Sequence, residues 1–258
     1  MVAHLVRIDL YPVKSLAGTT VTTAQLLASG ALAGDRAYAL FDQQGRFVNA
    51  KRYAQIHQVR SRVDETLQTL SLWTDATETA MTFDLEPDRA ALAAWFSDYF
   101  GEPIHLRQND VMGFPDDTDS PGPTVISTAT LQTVADWFGL SLMDCRQRFR
   151  TNLEIGGVPA FWEDQLFSES GDPVPFQIGA VSLQGINPCQ RCIVPTRDPA
   201  TGQPFSGFQK RFTTQRADTL PTTVARSRFN HFYRLAVNTR STGPGGQTLT
   251  VGDRVALG

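Results

Sequence analysis

The sequence predicts a mainly β protein with a few helices, an α+β class. In the first third, short runs of β-branched and aromatic residues alternate with turn residues at close intervals. Two stretches, 86–100 and 127–138, carry apolar residues at helical spacing. The 258 residues, 41% hydrophobic and 19% charged, suit one large domain or two packed smaller ones, with a core that needs no disulfide or metal staple.

Leu5–Leu10 reads as a strand, broken by a turn between Pro12 and Gly18. Thr19–Leu27, rich in β-branched residues, reads as a second. Ala37–Phe41 leads into Asp42-Gln43-Gln44-Gly45, a hairpin turn from which Arg46–Lys51 returns. Gln58–Val63 and Leu67–Trp73 form a further strand pair. Glu86–Phe100 is a helix: Leu92, Trp95, Phe96 and Tyr99 share a face, Gly101 ends it and Pro103 prevents its resuming. Asn109–Pro123, rich in Asp, Gly and Pro, reads as a linker. After Thr124-Val125-Ile126, Ser127-Thr128 caps a helix whose buried stripe is Leu131, Val134, Ala135 and Phe138, closed by Gly139. Cys145–Ile155 reads as a strand that sets Arg146, Arg148 and Arg150 on one face and Phe149 on the other. Gly156–Pro175 is loop-rich, and the apolar run Ile178–Leu183 leads into a cysteine loop. After the arginine-rich Arg211–Arg228, Phe232–Val237, a turn at Gly243–Gly246 and Leu249–Leu257 read as a hairpin.

The net charge of −3 gives no global field to recruit nucleic acid or anionic membrane. Three cysteines make no disulfide framework. Residues 1–11 lack the apolar core of a signal peptide, and no run approaches the ~18 apolar residues that span a bilayer. The expectation is a cytoplasmic protein.

Cys189-Gln190-Arg191-Cys192 is the chemically distinctive stretch. Pro188, Pro195 and Pro199 keep it out of regular helix. Zinc would want a second half-site, and a thioredoxin-type pair would want a helix starting at the first cysteine. What remains is two inert cysteines, or one thiolate on a soft metal with Arg191 and Arg197 favouring the anion. Three arginines on one face call for an anion, and guanidinium binds phosphate bidentately. Lys14-Ser15, Arg36 and the free N–H groups at Ser127-Thr128 are candidates for the same anion. No dinucleotide, P-loop, serine-hydrolase or zinc-protease signature is present.

Six motifs occur in order: Tyr11-Pro12-Val13-Lys14-Ser15, Gly34-Asp35-Arg36, Arg148-Phe149-Arg150-Thr151-Asn152, Pro188-Cys189-Gln190-Arg191-Cys192, Thr196-Arg197-Asp198-Pro199-Ala200-Thr201-Gly202 and Val251-Gly252-Asp253. Together they resemble the MOSC family, named for the C-terminal domain of molybdenum cofactor sulfurase, and within it the branch of the mitochondrial amidoxime-reducing component and its bacterial relatives. The resemblance implies a MOSC β-barrel over residues 116–258 packed with an N-terminal β-rich region over 1–115. It implies a molybdenum cofactor (Mo-molybdopterin) held by a pterin dithiolene and one protein cysteine, Cys192 by its place in the motif. Lys14, Ser15, Arg36, Arg150 and Asn152, with Ser127 and Thr128, match positions that hold pterin and phosphate, and Arg191 lines the site. The implied reaction is reduction of N-hydroxylated compounds (hydroxylamines, amidoximes, N-oxides); the sequence identifies no proton donor, and a bound water and Asp164 are the candidates. A cofactor carrier or sulfur-delivery role is the alternative. Thr151 stands where these relatives usually have proline, and Phe161-Trp162-Glu163-Asp164 matches their acidic loop only in part. The chain stops just after Val251-Gly252-Asp253, so the iron–sulfur domain of some bacterial relatives is not expected. With Cys192 on the metal only two cysteines remain, too few for a cluster, so electrons are expected from a separate ferredoxin-, flavin- or cytochrome-type donor.

Overall fold

The computed structural model describes residues 2–77 and 79–258. The first half holds β1 (His4–Leu10), β2 (Thr19–Val21), β3 (Thr23–Gln25), β4 (Tyr38–Phe41), β5 (Val59–Val63), β6 (Thr69–Thr74), β7 (Met81–Asp84), α1 (Arg89–Phe100) and β8 (His105–Gln108). The second holds β9 (Val125–Ser127), α2 (Thr128–Phe138), α3 (Leu142–Phe149), β10 (Leu153–Gly156), β11 (Val174–Ile178), β12 (Val181–Gln190), α4 (Phe208–Asp218), β13 (Arg234–Ser241), β14 (Thr248–Thr250) and β15 (Val255–Leu257). The protein is thus mainly β with helices, as its turn spacing predicts.

Eight strands form the main sheet in the order β15-β11-β12-β13-β9-β10-β1-β2. Only β9 and β10 run parallel there, and α2 and α3 supply the crossover that a parallel pair requires. The two halves share this sheet. β1 pairs with β10, placing Leu5 opposite Ile155 and Ile8 opposite Leu153, and β3 pairs with β14. Leu5, Ile8, Val125, Leu153, Phe176, Val181 and Val237 fill the core beneath it. A second core gathers Val13, Leu40, Ile56, Leu70, Leu72, Leu92 and Phe96 between β4, the β5-β6-β7 sheet and α1. A third lies under α2, α3 and α4 around Leu131, Val134, Phe149, Phe208 and Phe212.

Both helices read from apolar spacing form. α1 buries Leu92 and Phe96 and ends at Gly101, whose φ of 70° is the left-handed conformation glycine adopts without penalty. α2 starts at Ser127, whose hydroxyl accepts from the Thr130 amide at 3.0 Å, and ends at left-handed Gly139.

Three local readings are corrected. Cys145–Ile155 is not a strand. α3 runs to Phe149, capped by Ser141 and Asp144 in a reciprocal capping box, and only β10 is extended. Residues two apart on a helix point ~200° apart, so the three arginines cannot share one face. The terminal hairpin is also not formed, because β14 pairs with β3 and β15 with β11. Thr19–Leu27 is split into β2 and β3, which join different sheets. The hairpin at Asp42–Gly45 forms, the Asp42 amide donating to the Arg46 carbonyl at 2.9 Å, but its return is one bridge between Phe41 and Phe47. The main partner of β4 is β8. No helix among the described residues is long and apolar enough to cross a membrane.

Candidate functional site

A cavity of about 1360 Å³ opens between the halves. Lys14, Ser15 and Arg36 enter from the first half, and Arg148, Arg150, Asn152, Cys189, Arg191 and Cys192 from the second. Eleven lysine and arginine side chains line it against four aspartates, so its field is positive although the protein's net charge is negative.

Tyr11, at the end of β1, is the platform of the cationic end. The Arg150 guanidinium lies 4.2 Å from its ring centroid and that of Arg36 5.1 Å. The Tyr11 amide donates to Asp35 Oδ1 at 2.8 Å and its hydroxyl to the Thr151 carbonyl at 3.3 Å, so the ring is held from both sides. Arg36 also pairs with Asp35, and its Nη2 donates to the Arg150 carbonyl at 3.2 Å. Ser15, Arg36 and Arg150 have φ of 76°, 50° and 50°. The left-handed region is unfavourable for side-chain-bearing residues, and three of the six such residues described lie here. Strain gathered at one cavity marks a place where geometry outweighs stability.

Arg150 stands apart chemically. Among the described residues its guanidinium has no carboxylate within 4.0 Å and donates no hydrogen bond. Burial, with Arg36 beside it, pushes the Arg150 pKa down to about 10. Lys14 is buried and donates to the Phe114 carbonyl and to Asp116, each at 2.8 Å. Burial lowers its pKa, with Asp116 opposing the shift. Asp116 comes from the stretch read as a linker. That stretch is irregular but forms a wall of the cavity, where the Asp116 carboxylate pairs with Lys14 and Lys51.

The other arginines of α3 diverge. Arg146 pairs with Glu154 through two hydrogen bonds of 2.7 and 2.8 Å. Arg148, 4% exposed, turns inward, donating to the Pro195 carbonyl at 3.1 Å and to that of Arg197, and so fixes the chain beyond the cysteines. Arg191 donates to the Phe149 carbonyl and, through Nη1, to Cys189 Sγ at 3.3 Å. Cys189 is the penultimate residue of β12 and Cys192 lies just past its end; both are reduced and half-buried. Cys192 has no hydrogen-bond partner among the described residues.

Other residues expected at the site have different work. Ser15 lines the cavity, but its hydroxyl accepts from the Ala50 amide at 3.2 Å. The Asn152 amide ties the Asp9 carbonyl to Thr124 and serves as a strut. Ser127 and Thr128 do not line the cavity: Ser127 is fully buried beside Glu163, and Thr128 donates to Glu154 at 2.7 Å. Asp164 is also outside it. It lies in the turn Trp162–Leu166, 4% exposed and bonded to Arg216, whose guanidinium sits between the rings of Phe161 and Phe229. A cation that deeply buried requires a carboxylate, and Asp164 supplies it. The roles of Tyr11 and Asp116 were not read from the sequence, although Tyr11 opens one of the six motifs.

Next to that pair, burial and the neighbouring Asp164 raise the Glu163 pKa to about 7. Its Oε2 accepts from the Ser127 amide and the Thr130 hydroxyl, while Oε1 is buried without a partner. The folded state therefore retains a proton that the unfolded chain releases above its ordinary carboxyl range. Stability from this group is complete below about pH 4.5 and is lost as pH rises to about 7. Denaturant titrations should show Glu163→Gln removing a loss of order 2–3 kcal/mol between pH 4.5 and 7.5. Parallel pH profiles for wild type and variant would contradict this.

The chain was compared with known proteins. A model of the MOSC N-terminal beta barrel domain matches residues 2–103, and a model of the MOSC domain matches residues 123–256. No curated protein matches the chain. Among solved structures, the crystal structure of YiiM from Geobacillus stearothermophilus aligns at 15% identity and a TM-score of 0.30, over 53% of this chain and 54% of that one. The crystal structure of a hypothetical protein aligns at 10% identity and a TM-score of 0.36, over 98% of this chain and 68% of that one. The chain thus spans about half the length of the first of these structures.

Proposed function

The chain belongs to the MOSC-domain family, and from that membership we propose that it is a molybdenum-cofactor-dependent oxidoreductase that reduces N-hydroxylated compounds with electrons from a separate donor protein. The observation that carries this reading is Arg150, a desolvated guanidinium with no protein anion, in one cavity with two reduced cysteines. Such a cation fits a phosphate, and the thiols fit a soft metal. The residues present therefore suit this cofactor.

Bound, the cofactor supplies two-electron removal of the N–O oxygen, so that R–NHOH, two electrons and two protons give R–NH₂ and water. The protein does the rest. Arg150 and Arg36 would hold the phosphate, with Lys14, paired to Asp116, on the same cavity wall. Cys192, whose sulfur has no other partner, is the protein thiolate. Arg191 keeps Cys189 occupied beside it. Asp164 is committed to Arg216 outside the cavity, so water is the proton source in this reading. Of the other two cysteines Cys145 is fully buried, and a cluster normally needs four ligands, which supports an external donor.

The test is made on protein produced in a molybdenum-replete host. About one molybdenum per chain should survive dialysis, and with a chemical reductant the protein should convert benzamidoxime to benzamidine. Molybdenum lost on dialysis, with no reduction, would favour the carrier role instead. Molybdenum-free protein from such a host would remove both.

A further inference from the structure

Beyond Cys189, away from Arg150, the cavity has a second cationic end. The contacts run in order: Arg36 to the Arg150 carbonyl, Arg191 to the Phe149 carbonyl and to Cys189 Sγ, then Arg234 at the start of β13 and Arg228 in the turn Arg226–Arg228. Arg234 donates to the Pro188 carbonyl at 2.7 Å and to Asn230 Oδ1 at 2.8 Å, and its Nε is buried without a partner. Arg228 donates to the Ser168 carbonyl at 2.9 Å and the Ile186 carbonyl at 3.3 Å. Both line the cavity, and both are anchored to β12, two residues apart.

Among the described residues neither has a carboxylate within 4.0 Å. Neutral asparagine or glutamine could tether these carbonyls without setting two cations side by side. Each guanidinium has five N–H donors and spends two on the protein. Burial lowers the Arg234 pKa, the Cys189 sulfur opposes that shift and Arg228 adds to it.

We propose that Arg228 and Arg234 form an anion subsite that selects N-hydroxylated substrates carrying a carboxylate, and that this carboxylate is held across Cys189 from the phosphate end. The proposal rests on the reductase reading for the reacting group, while the subsite itself rests on the two arginines. A carboxylate accepts from guanidinium bidentately and keeps its charge at neutral pH, so it supplies both the missing countercharge and an orientation for the N–O bond.

The experiment compares benzamidoxime with 4-carboxybenzamidoxime on the metal-loaded protein. Wild type should favour the carboxylated compound in kcat/KM by about tenfold, and Arg234→Gln or Arg228→Gln should reduce that ratio to near one. Arg234→Lys keeps the charge and should retain part of the preference, which provides a readout if the glutamine variant does not fold. Equal kcat/KM for the two compounds in wild type would overturn the subsite, as would a variant that lowers both rates equally. Without reductant the same pair reports binding alone, by calorimetry. If neither compound is reduced the reductase reading falls, and binding then decides the subsite. Tighter binding of the carboxylated compound, lost in Arg234→Gln, supports it; equal binding overturns it.

Discussion

Cys192→Ala protein is expected to lose amidoxime reduction by more than a hundredfold while keeping its fold. Supporting residues around a metal ligand already cost ~10–100-fold when removed, and the ligand itself should cost more. Cys192 is half-buried on the cavity wall rather than packed in a core, so its truncation leaves little void. X-ray absorption should show one sulfur fewer on the metal. The pterin should stay bound, since its phosphate is held by groups independent of the sulfur. Cys189→Ala should keep the sulfur count and most activity, because the Cys189 thiol is engaged by Arg191. The competing assignment makes Cys189 the ligand, with Arg191 donating to its sulfur at 3.3 Å. An inactive Cys189→Ala with an active Cys192→Ala would settle the matter that way.

Arg150→Ala is expected to weaken cofactor retention by roughly a hundredfold, the order of two lost charge-assisted hydrogen bonds to phosphate. It should act in the opposite sense on the empty protein. Arg150 is desolvated without a counter-ion and takes a left-handed backbone at φ 50°. Alanine removes the charge, and glycine removes the backbone penalty as well. The cofactor-free Tm should therefore rise by about 2 °C or more in Arg150→Ala, and further in Arg150→Gly. Its pKa lies far above neutrality, so the gain should be constant from pH 6 to 8. A variant that both lost cofactor and melted lower when empty would show Arg150 to be structural.

The helices legible in the sequence were those whose signals are local. α1 and α2 carry an apolar stripe and a closing glycine. α3 was misread because arginine recurs at every second position, Arg146, Arg148 and Arg150, although the apolar Cys145 and Phe149 stand four apart as on one helix face. Its decisive signal was Ser141 with Asp144, a capping box that opens four residues before the reading began. The pairings of β14 and β15 could not be read locally, since their partners are 223 and 77 residues away at the paired positions Thr248–Gln25 and Val255–Ile178, counted by residue number. Lys14, Arg36 and Arg150 were legible through the motifs that hold them. Asp164 and Ser127 were not, because what removes them from the cavity, Arg216 and Glu163, is distant in sequence and carries no motif.

The interlacing of the halves has a consequence for synthesis on the ribosome. β1 leaves the exit tunnel without its partner and waits for β10, almost the length of a small domain later. Tyr11 and Arg36 stay apart from Arg150 for the same interval, and β3 remains an unpaired edge until β14 emerges. Closing loops of this length comes late and slowly, and exposed strand edges are where nascent chains aggregate. The cavity consequently takes shape only once its last lining residue, Asn238, has emerged. Nascent chains stalled before residue 150 lack the Tyr11–Arg150 contact, and removing β14 exposes an edge in the first thirty residues.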